Sequence, residues 1–387
     1  MRNTHLYLFL FAIVFIACND RNRDVRIFID LETSKSGSYS DLFSGLDYIL
    51  LSNTEDQFLI SPSKIVFSKE RIYVSDIDQN ILFIYDKKGN VIETLDSEGE
   101  GPFEFKTIDD FQIYKDTLII KDGFLKKWIK FNLDGKVISE EKNIFLRGKF
   151  FKQESFTQYY LNNDSDLVGD RVIRIGNDGS VSGFIPIPEN LEKRLYQNHV
   201  GFLKIRDSER FLFNLPFTYE IAFFNSNGFL DQLKQYDFGK YNFKNDLRFS
   251  FSNLVEEFEY LAENRLVYEI GNYLPVSKNL FLMYVKQENG GGHFILMDEK
   301  DTIIYQGRNL ENNIDGLPLD LMPWTVNDSS VVFRTNSNFI YDNYKKKFKL
   351  DKNLIGVKES NLHELVYDNQ DIMENDNHVL ILAKFKE

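Results

Sequence analysis

The sequence predicts an all-β fold built from repeated four-stranded units, and three observations support this prediction. Aromatic residues make up 15% of the chain, with 36 Phe and 20 Tyr. They lie inside alternating runs, where flat rings pack well on a pleated sheet. Genome-wide bias toward Phe, Ile, Lys and Asn is the alternative source of this enrichment. Glycine and polar turns separate the runs, and two long segments repeat each other without a gap.

The repeat has a spacing of 46 residues. Residues 72–76 match residues 118–122, and the hairpin glycine Gly89 matches Gly135 at the same displacement. Each copy reads as strand, polar turn, strand, glycine turn and strand. A short strand at residues 65–67 supplies the fourth strand of the first copy.

Weaker copies of this unit follow along the chain. They are residues 172–181, 221–230, 294–304 and 331–339. The first two copies retain a glycine at the turn, and the last two are predicted to turn at residues 299–301 and 335–336 instead. A four-stranded repeat of about 45 residues has the size of a propeller blade. Dividing the length of the chain after residue 17 by this repeat length gives eight units. Removing the N-terminal residues and one long insertion from that count leaves six. The predicted fold is therefore a six-bladed β-propeller of four-stranded antiparallel blades.

A helical insertion is predicted between blades four and five, at about residues 241–272. Its apolar residues recur at intervals of three and four, namely Phe251, Leu254, Val255, Phe258, Leu261 and Ala262. Asn253 and Glu256 have the spacing of a capping pair. A shorter helix is predicted after Pro186 and Pro188, through Leu191 and Leu195.

Both ends of the predicted propeller look like strands. These segments are residues 25–31 and 48–51 at the start and residues 379–385 at the end. Because a propeller closes its ring where the two chain ends meet, they predict a composite last blade.

The first 24 residues have the pattern of an export signal. Arg2 precedes an unbroken apolar run of 11 residues, 6–16, and Ala17 and Cys18 follow at once. This run is about half the roughly 20 residues that a membrane-spanning helix needs. We therefore predict a signal peptide at 1–17, a lipid-bearing Cys18 with a polar tether at 18–24, and the propeller at 25–387.

Residues 14–18, Val-Phe-Ile-Ala-Cys, resemble the bacterial lipobox, with Phe15 where that motif usually has an aliphatic residue. The resemblance implies a lipid on Cys18 that anchors the protein to an envelope membrane, which we expect to be the outer membrane. An ordinary cleaved signal with an incidental cysteine is the alternative. As Cys18 is the only cysteine, no disulfide can form within the chain.

The charge of the chain argues against nucleic acid and anionic membrane surfaces as partners. The formal net charge is −13, and removal of residues 1–17 takes away only Arg2. The short basic runs at 126–127 and 345–347 lie among acidic residues.

Residues 73–89 resemble the NHL type of propeller repeat. More widely, residues 25–386 resemble the bacterial six-bladed β-propeller lipoproteins, through the leader at 40–43, the loop at 99–105 and the closing strand at 379–385. Phe103 departs from this family, whose loop often has another glycine there. The resemblance implies a fold and an envelope location, and it brings no catalytic residues.

Asp76, Asp78 and Asn80 alternate as in a calcium loop, but Ile81 replaces the required glycine and Lys87 stands where the bidentate acid belongs. We therefore expect Asp76 and Asn80 to hydrogen-bond the backbone of their own turn. No metal site is predicted from this motif.

Other motifs are also interpreted structurally. Residues 99–102 are a weak phosphate-loop lookalike and are predicted to join two blades, and residues 290–293 are predicted to form a flexible turn with His293 in solvent. In residues 179–183, Val181 takes the place of the serine in a nucleophile elbow. Trp128 is predicted to pack in the core, and Trp324 can stack on a sugar if it is exposed.

Ionisable residues leave an enzymatic alternative open. His199, His293, His363 and His378 have no metal-ligand spacing, so a zinc site would need assembly across blades. Acid pairs occur at 109–110 and 256–257, for which charged surface is the usual explanation.

The leading hypothesis is a lipid-anchored, non-catalytic binding or scaffolding propeller for a glycan, peptide or protein partner. It includes no cofactor and no catalytic residue, and it identifies no ligand-binding residue. The alternative is an envelope hydrolase or lyase that uses carboxylates or a cross-blade metal site at the channel. A structural envelope component is the third hypothesis, and it predicts an exposed apolar patch on the insertion.

Overall fold

The computed structural model describes residues 24–96, 98–143, 148–163, 169–192, 199–349 and 359–386. Its strands form six sheets, each with four neighbouring antiparallel strands. The first strands of the sheets contact one another in four of the six neighbouring pairs, namely β4 (Pro62–Ser68) with β8 (Asp110–Tyr114), β8 with β12 (Lys149–Lys152), β16 (Leu203–Lys204) with β20 (Val267–Pro275), and β20 with β24 (Pro323–Val326). These first strands are therefore innermost and surround a central channel. The predicted six-bladed β-propeller is confirmed.

The strands are numbered along the chain. The N-terminal strands are β1 (Asp24–Phe28), β2 (Lys35–Ser38) and β3 (Phe43–Leu51). Blade one contains, from the channel outward, β4 to β7 (Pro62–Ser68, Arg71–Asp76, Ile81–Asp86 and Val91–Leu95). Blade two contains β8 to β11 (Asp110–Tyr114, Thr117–Asp122, Lys127–Asn132 and Val137–Lys142). Blade three contains β12 to β15 (Lys149–Lys152, Phe156–Tyr160, Asp170–Gly176 and Val181–Pro186).

The remaining blades follow the same order. Blade four contains β16 to β19 (Leu203–Lys204, Phe211–Leu215, Glu220–Phe224 and Leu230–Asp237). Blade five contains β20 to β23 (Val267–Pro275, Leu280–Gln287, Gly291–Asp298 and Ile303–Glu311). Blade six contains β24 to β26 (Pro323–Val326, Ser330–Asn336 and His378–Phe385), with β3 as its outermost strand.

The 46-residue repeat corresponds to equivalent strands of blades one and two. β9 and β10 begin 46 residues after β5 and β6. The hairpin glycines Gly89 and Gly135 have φ of 88° and 85°, a region that side chains with a Cβ rarely adopt. The repeat therefore reflects the same backbone geometry in both blades.

The two chain ends close the ring in blade six. β26 pairs antiparallel with β3, so that Leu380 lies opposite Ile49. This confirms the predicted composite blade for residues 48–51 and 379–385. The prediction for residues 25–31 is wrong, because β1 pairs in parallel with β19 of blade four. β2 pairs in the same way with β23 of blade five, so the N-terminal segment covers the outer edges of two blades.

The hydrophobic core of the described residues lies in seven clusters. Six lie between neighbouring blades, and a smaller one, formed by Phe243, Leu261 and Leu266, lies in the first insertion. The two middle strands of blade one, β5 and β6, are buried on both faces, which explains apolar runs such as Ile81–Asp86. Between blades three and four the cluster is rich in Phe, including Phe151, Phe202, Phe211 and Phe213. The aromatic content of the sequence thus has the structural role that was predicted.

The first helical insertion lies between blades four and five, as predicted. It contains a 3-10 turn, Gly239–Tyr241, and the helix α2, Leu254–Glu263 (α1 is the short helix Tyr39–Leu42). The predicted range of 241–272 extends too far, because Val267 begins β20. Asn253 caps α2 by accepting a hydrogen bond from the Glu256 backbone N–H at 3.0 Å.

The apolar stripe predicted on α2 is only partly buried. Leu261 is buried, but Leu254, Val255 and Phe258 are 63%, 66% and 44% exposed. The insertion therefore carries an exposed apolar patch, although its helix is short. After Pro186 and Pro188 a 3-10 turn forms at Glu189–Leu191, and Leu195 lies outside the described residues.

A second helical insertion separates β25 from β26, and the sequence analysis missed it. It contains α3 (Ser337–Phe348), α4 (Leu362–Asp368) and α5 (Gln370–Met373). The predicted hairpin at 335–336 is wrong, because β25 continues to Asn336 and α3 begins at the next residue. The buried residues Ile340, Tyr341 and Tyr344 have helical spacing, which is the signal that was available.

Both insertions lie at the same end of the ring. Neighbouring strands of a blade are antiparallel, so an innermost strand begins where the second strand ends. The first insertion precedes an innermost strand, β20, and the second follows a second strand, β25. We call this end, where the innermost strands begin, the loop face. None of the helices in the described ranges is long and apolar enough to cross a membrane.

Candidate functional site

The channel mouth on the loop face brings together side chains from distant parts of the chain. The first three residues of β4 each contact one of these side chains. The Pro62 carbonyl accepts a hydrogen bond from Arg334. The Ser63 carbonyl accepts one from Trp324 Nε1 at 2.9 Å. The Lys64 ammonium lies 2.8 Å from Asp110 Oδ1. We define the channel-mouth cluster as Lys64, Asp110, Lys149, His199, Trp324 and Arg334.

Two buried lysines share one carboxylate oxygen in this cluster. Lys149 Nζ lies 3.8 Å from the same Asp110 Oδ1 that binds Lys64. The other oxygen of Asp110 accepts the Phe150 backbone N–H at 2.9 Å. Burial lowers the pKa of Lys149, the Asp110 carboxylate opposes this, and Lys64 lowers it further. One carboxylate thus partly neutralises two ammonium groups at the edge of the channel.

His199 lies beside these cations. Its Nδ1 is 3.0 Å from the Ser63 hydroxyl. Burial lowers the pKa of His199 to about 4, and the positive charges of Lys149 and Arg334 add to this effect. The imidazole is therefore neutral at pH 7.

Trp324 supports His199 from blade six. The two rings stack at 5.7 Å with an angle of 29° between them. The Arg334 guanidinium lies 4.3 Å from the centre of the indole ring. The indole thus contacts protein groups on its ring and at its N–H, which disfavours the predicted stacking of a sugar on Trp324.

A cavity of about 100 Å³ opens next to this cluster, and residues before β16 and from blades four, five and six line it. Its polar lining includes His199, Asn214, Glu269 and Asn272, and its apolar lining includes Leu203, Leu212, Ile270, Tyr273, Met322 and Trp324. Val200 and Leu203 also line the wider channel of about 640 Å³. The cavity is thus a side chamber of the channel near its mouth.

The predicted calcium motif is a structural turn. Asp76 accepts hydrogen bonds from the backbone N–H groups of Ile60, Ser61, Asp78 and Gln79 and from the Gln79 side chain. Although burial raises it, these bonds hold the pKa of Asp76 below its usual value. The prediction for Asp76 is confirmed. The prediction for Asn80 is wrong, because its side chain accepts from Ile108 in the next interblade loop.

The structure disperses the other histidines. His293 lies in β22 and is fully buried, with its Nδ1 2.8 Å from the Ser34 hydroxyl, so its predicted place in a solvated turn is wrong. Gly291 and Gly292, predicted as part of that turn, are the first two residues of β22. His363 contacts the Tyr344 hydroxyl in the second insertion, and His378 faces the Ile60 carbonyl. Within the described ranges, no three His, Cys, Asp or Glu side chains are placed to share a metal ion.

The remaining residues that the sequence analysis considered for a site have roles in packing or in loops. Asp110 is buried in the cluster rather than on a charged surface, and Glu257 is buried in α2. Residues 99–102 join blades one and two, as predicted, and Phe103 in that loop has a φ of 64°. This positive φ explains why glycine suits that position. Trp128 is buried and stacks on Phe150 at 5.5 Å, which confirms the prediction of core packing.

Sequence reasoning missed every member of the channel-mouth cluster except Asp110, His199 and Trp324, and it did not bring those together. One signal was available: Asp110 lies 46 residues after Lys64, so the two occupy equivalent positions in the repeat. Equivalent positions of neighbouring blades meet around the channel. Cys18 lies outside the described residues.

Comparisons with known proteins agree with this architecture. The sequence profile of the DUF5128 family, described as a 6-bladed beta-propeller, matches residues 17–334. No curated protein matches the chain in sequence.

Two solved structures show the likeness in fold. A Bacteroides fragilis NCTC 9343 protein, whose name assigns it to the exported proteins, has a TM-score of 0.70 at 13% identity, over 94% of this chain and all of that one. A DUF4221-family member from Bacteroides vulgatus has a TM-score of 0.50 at 10% identity, over 89% of this chain and 97% of that one. At these identities the likeness concerns the fold alone. Because the profile covers most of its length, the chain belongs to the DUF5128 family of six-bladed β-propellers.

Proposed function

We propose that this protein is an envelope-anchored lipoprotein whose propeller is a non-catalytic binding module for a glycan or peptide. The observation that carries the proposal is the cavity at the channel mouth, lined by both apolar and polar side chains. Such a mixed lining is typical of ligand sites, in which a few polar groups orient a largely apolar contact. Both insertions lie on the same loop face, where recognition surfaces are commonly built on a rigid scaffold.

The lining of the cavity favours binding over hydrolysis. Among the described lining residues, Glu269 is the only carboxylate and His199 the only histidine. Glycoside hydrolysis commonly uses two carboxylates that face one another. Asp110, the nearby acid, is engaged by Lys64, Lys149 and a backbone N–H.

The envelope location rests on the N-terminal sequence and on the exported relative in Bacteroides fragilis. We expect a Cys18→Ala variant to be processed inefficiently and to incorporate no radiolabelled palmitate, because Cys18 supplies the only thiol of the sequence and lipid attachment begins at that thiol. The measurement is fractionation of cells that express either form, with label detected in the membrane fraction of the wild type alone. Equal label in both forms would contradict lipidation at Cys18.

The binding function is tested by thermal unfolding of residues 19–387 with a panel of glycans and cell-wall peptides. A ligand at about a hundred times its Kd stabilises the folded state by about 2.7 kcal/mol, which raises the melting temperature. A Met322→Trp variant should lose this shift, because Met322 is 37% exposed at the cavity and a larger ring would fill the opening.

The matched control is Ile372→Trp, which enlarges a residue of similar exposure (42%) on α5, away from the cavity. This control should respond to the ligand as the wild type does. A ligand that shifts all three proteins equally binds elsewhere, and a ligand that is turned over would favour the hydrolase or lyase alternative. Absence of any shift across the panel would contradict the proposed binding function.

A further inference from the structure

We propose that α2 of the first insertion is a docking surface for a basic amphipathic helix of a partner protein. This surface is separate from the cavity at the channel mouth, so the inference goes beyond the proposed function and does not depend on it. Two rows of exposed side chains form the surface. They are an apolar row, Leu254, Val255 and Phe258, and an acidic row, Glu256, Glu259 and Glu263.

The helix α2 exposes apolar side chains and buries a charged one. Leu254, Val255 and Phe258 are exposed to solvent, whereas Glu257 is buried. Water alone favours the reverse arrangement, because exposed apolar surface costs free energy and a buried carboxylate loses its hydration. Exposed apolar patches with a polar rim are typical of interaction sites.

The apolar row is not part of the core of the insertion. That core is the small cluster of Phe243, Leu261 and Leu266, and Tyr268 packs against it. Phe258 reaches the edge of this cluster through the ring of Tyr268, at 5.5 Å between ring centres. Packing within the insertion therefore does not account for the apolar row.

The acidic row lies beside the apolar row on the surface of α2. Glu256, Glu259 and Glu263 recur at intervals of three and four, which places them along one side of the helix. All three are exposed, and none forms an ion pair within the described part of the chain. Like charges at these spacings repel one another, and Glu263 stands at the C-terminal end, where the helix dipole disfavours an anion. Lys or Arg side chains of a partner would relieve both costs.

The cations of the insertion lie elsewhere. Lys240 pairs with Glu32 at 3.0 Å, Arg248 is buried, and Lys244 and Arg265 lie before and after α2. The last turn of the helix contains no basic residue.

The two rows determine the chemistry of the occupant. An apolar stripe with a row of Lys or Arg along its side is the complement of α2, and an amphipathic helix presents both. The ten residues of α2 give it a length of about 15 Å, which is room for about three turns of a partner helix. The formal net charge of −13 attracts a basic protein from a distance and repels an anionic membrane.

The test measures the binding of two labelled peptides to residues 19–387 by fluorescence anisotropy. Both are helical peptides of about 18 residues with the same leucine stripe, flanked by lysines in one and by glutamates in the other. We expect the lysine peptide to bind at least about tenfold more tightly than the glutamate peptide, with affinity that falls as NaCl rises.

A charge reversal locates the acidic side of the surface. Glu259→Lys combined with Glu263→Lys should weaken binding of the lysine peptide about tenfold and strengthen binding of the glutamate peptide. The matched control is Glu55→Lys with Asp56→Lys, which changes the net charge by the same amount at two exposed positions in the loop before β4. This control should bind both peptides as the wild type does.

A second pair of variants locates the apolar side. Leu254→Ser with Val255→Ser should weaken binding of the lysine peptide about tenfold, and both side chains are exposed enough for the fold to tolerate the change. Phe58→Ser with Phe124→Ser is the matched control, since it removes two exposed aromatic rings from other loops of the loop face. This control should bind with wild-type affinity.

Three outcomes would overturn the inference. The first is no binding of the lysine peptide at concentrations up to about 1 mM. The second is equal weakening by the α2 variants and their controls, which would mean that the peptide binds the acidic protein without a defined site. The third is binding to phosphatidylcholine vesicles that is lost in Leu254→Ser with Val255→Ser, without peptide binding, since this would assign the apolar row to a membrane. The thermal shifts of Met322→Trp test the cavity separately, so the proposed function stands or fails independently.

Discussion

Replacing Ile381 with Asp is expected to prevent the protein from folding. Ile381 is fully buried at the centre of β26, where it pairs with Phe333 on one side and Tyr48 on the other. An unpaired carboxylate at such a site costs several kcal/mol, which is comparable to the 5–15 kcal/mol that stabilises a typical protein. The substitution would also open blade six, whose strands come from both chain ends, so we expect no cooperative unfolding transition.

The measurement is thermal unfolding followed by near-ultraviolet circular dichroism, together with size-exclusion chromatography. Lys384→Gln on the same strand is the control, since the Lys384 side chain is 57% exposed and its pairing with Asp47 is a surface interaction. It should change the free energy of unfolding by less than about 0.5 kcal/mol. A folded, cooperative Ile381→Asp protein would mean that β26 does not close the ring.

Replacing Asp76 with Ala is expected to lower the free energy of unfolding by about 3–5 kcal/mol. The carboxylate is fully buried and accepts five hydrogen bonds, four of them from backbone N–H groups. Without it, these donors remain in the protein interior with no acceptor, and the loop before β4 is no longer joined to the end of β5. As β4 begins the channel-mouth cluster, the substitution should also weaken ligand binding.

Urea denaturation measures this effect, and Asp78→Ala is the control because Asp78 is exposed in the same turn. The control should unfold at nearly the wild-type midpoint. Because the folded pKa of Asp76 is lowered, its stabilisation is present above the usual carboxyl pKa and is lost as pH falls through the lowered folded value. If a chelator lowered the wild-type midpoint instead, a bound cation would have to be added to this account.

Local sequence patterns predicted most of the fold because the strands of one blade lie close together in the sequence. The strands of blades one and two are formed by consecutive residues, so alternation and the glycine turns at Gly89 and Gly135 were enough to locate them. The same reasoning located α2 through its cap at Asn253. It failed at α3, where residues that continue a strand pattern lead directly into a helix, and the helical spacing of Ile340 and Tyr344 was overlooked.

Long-range pairing was harder to predict. The strand character of residues 25–31 was visible, but nothing local indicates that β1 would pair with β19, more than 200 residues away. The hydrogen bond of the buried His293 to Ser34 depends in the same way on the pairing of β2 with β23, which places Ser34 beside β22. A strand pattern indicates that a segment will pair with the edge of a sheet, but it does not identify which edge.

The sequence by itself determined the repeat, the number of blades, the ring closure between the two chain ends and the position of the first insertion, because each depends on residues close in the chain or on its ends. Only the tertiary structure decided which edges the N-terminal strands cover and which side chains meet at the channel mouth. Lys64, Lys149, His199 and Arg334 come from four separate parts of the chain. They become neighbours because the closed ring directs the starts of all innermost strands toward one axis, and this geometry has no counterpart in local sequence spacing.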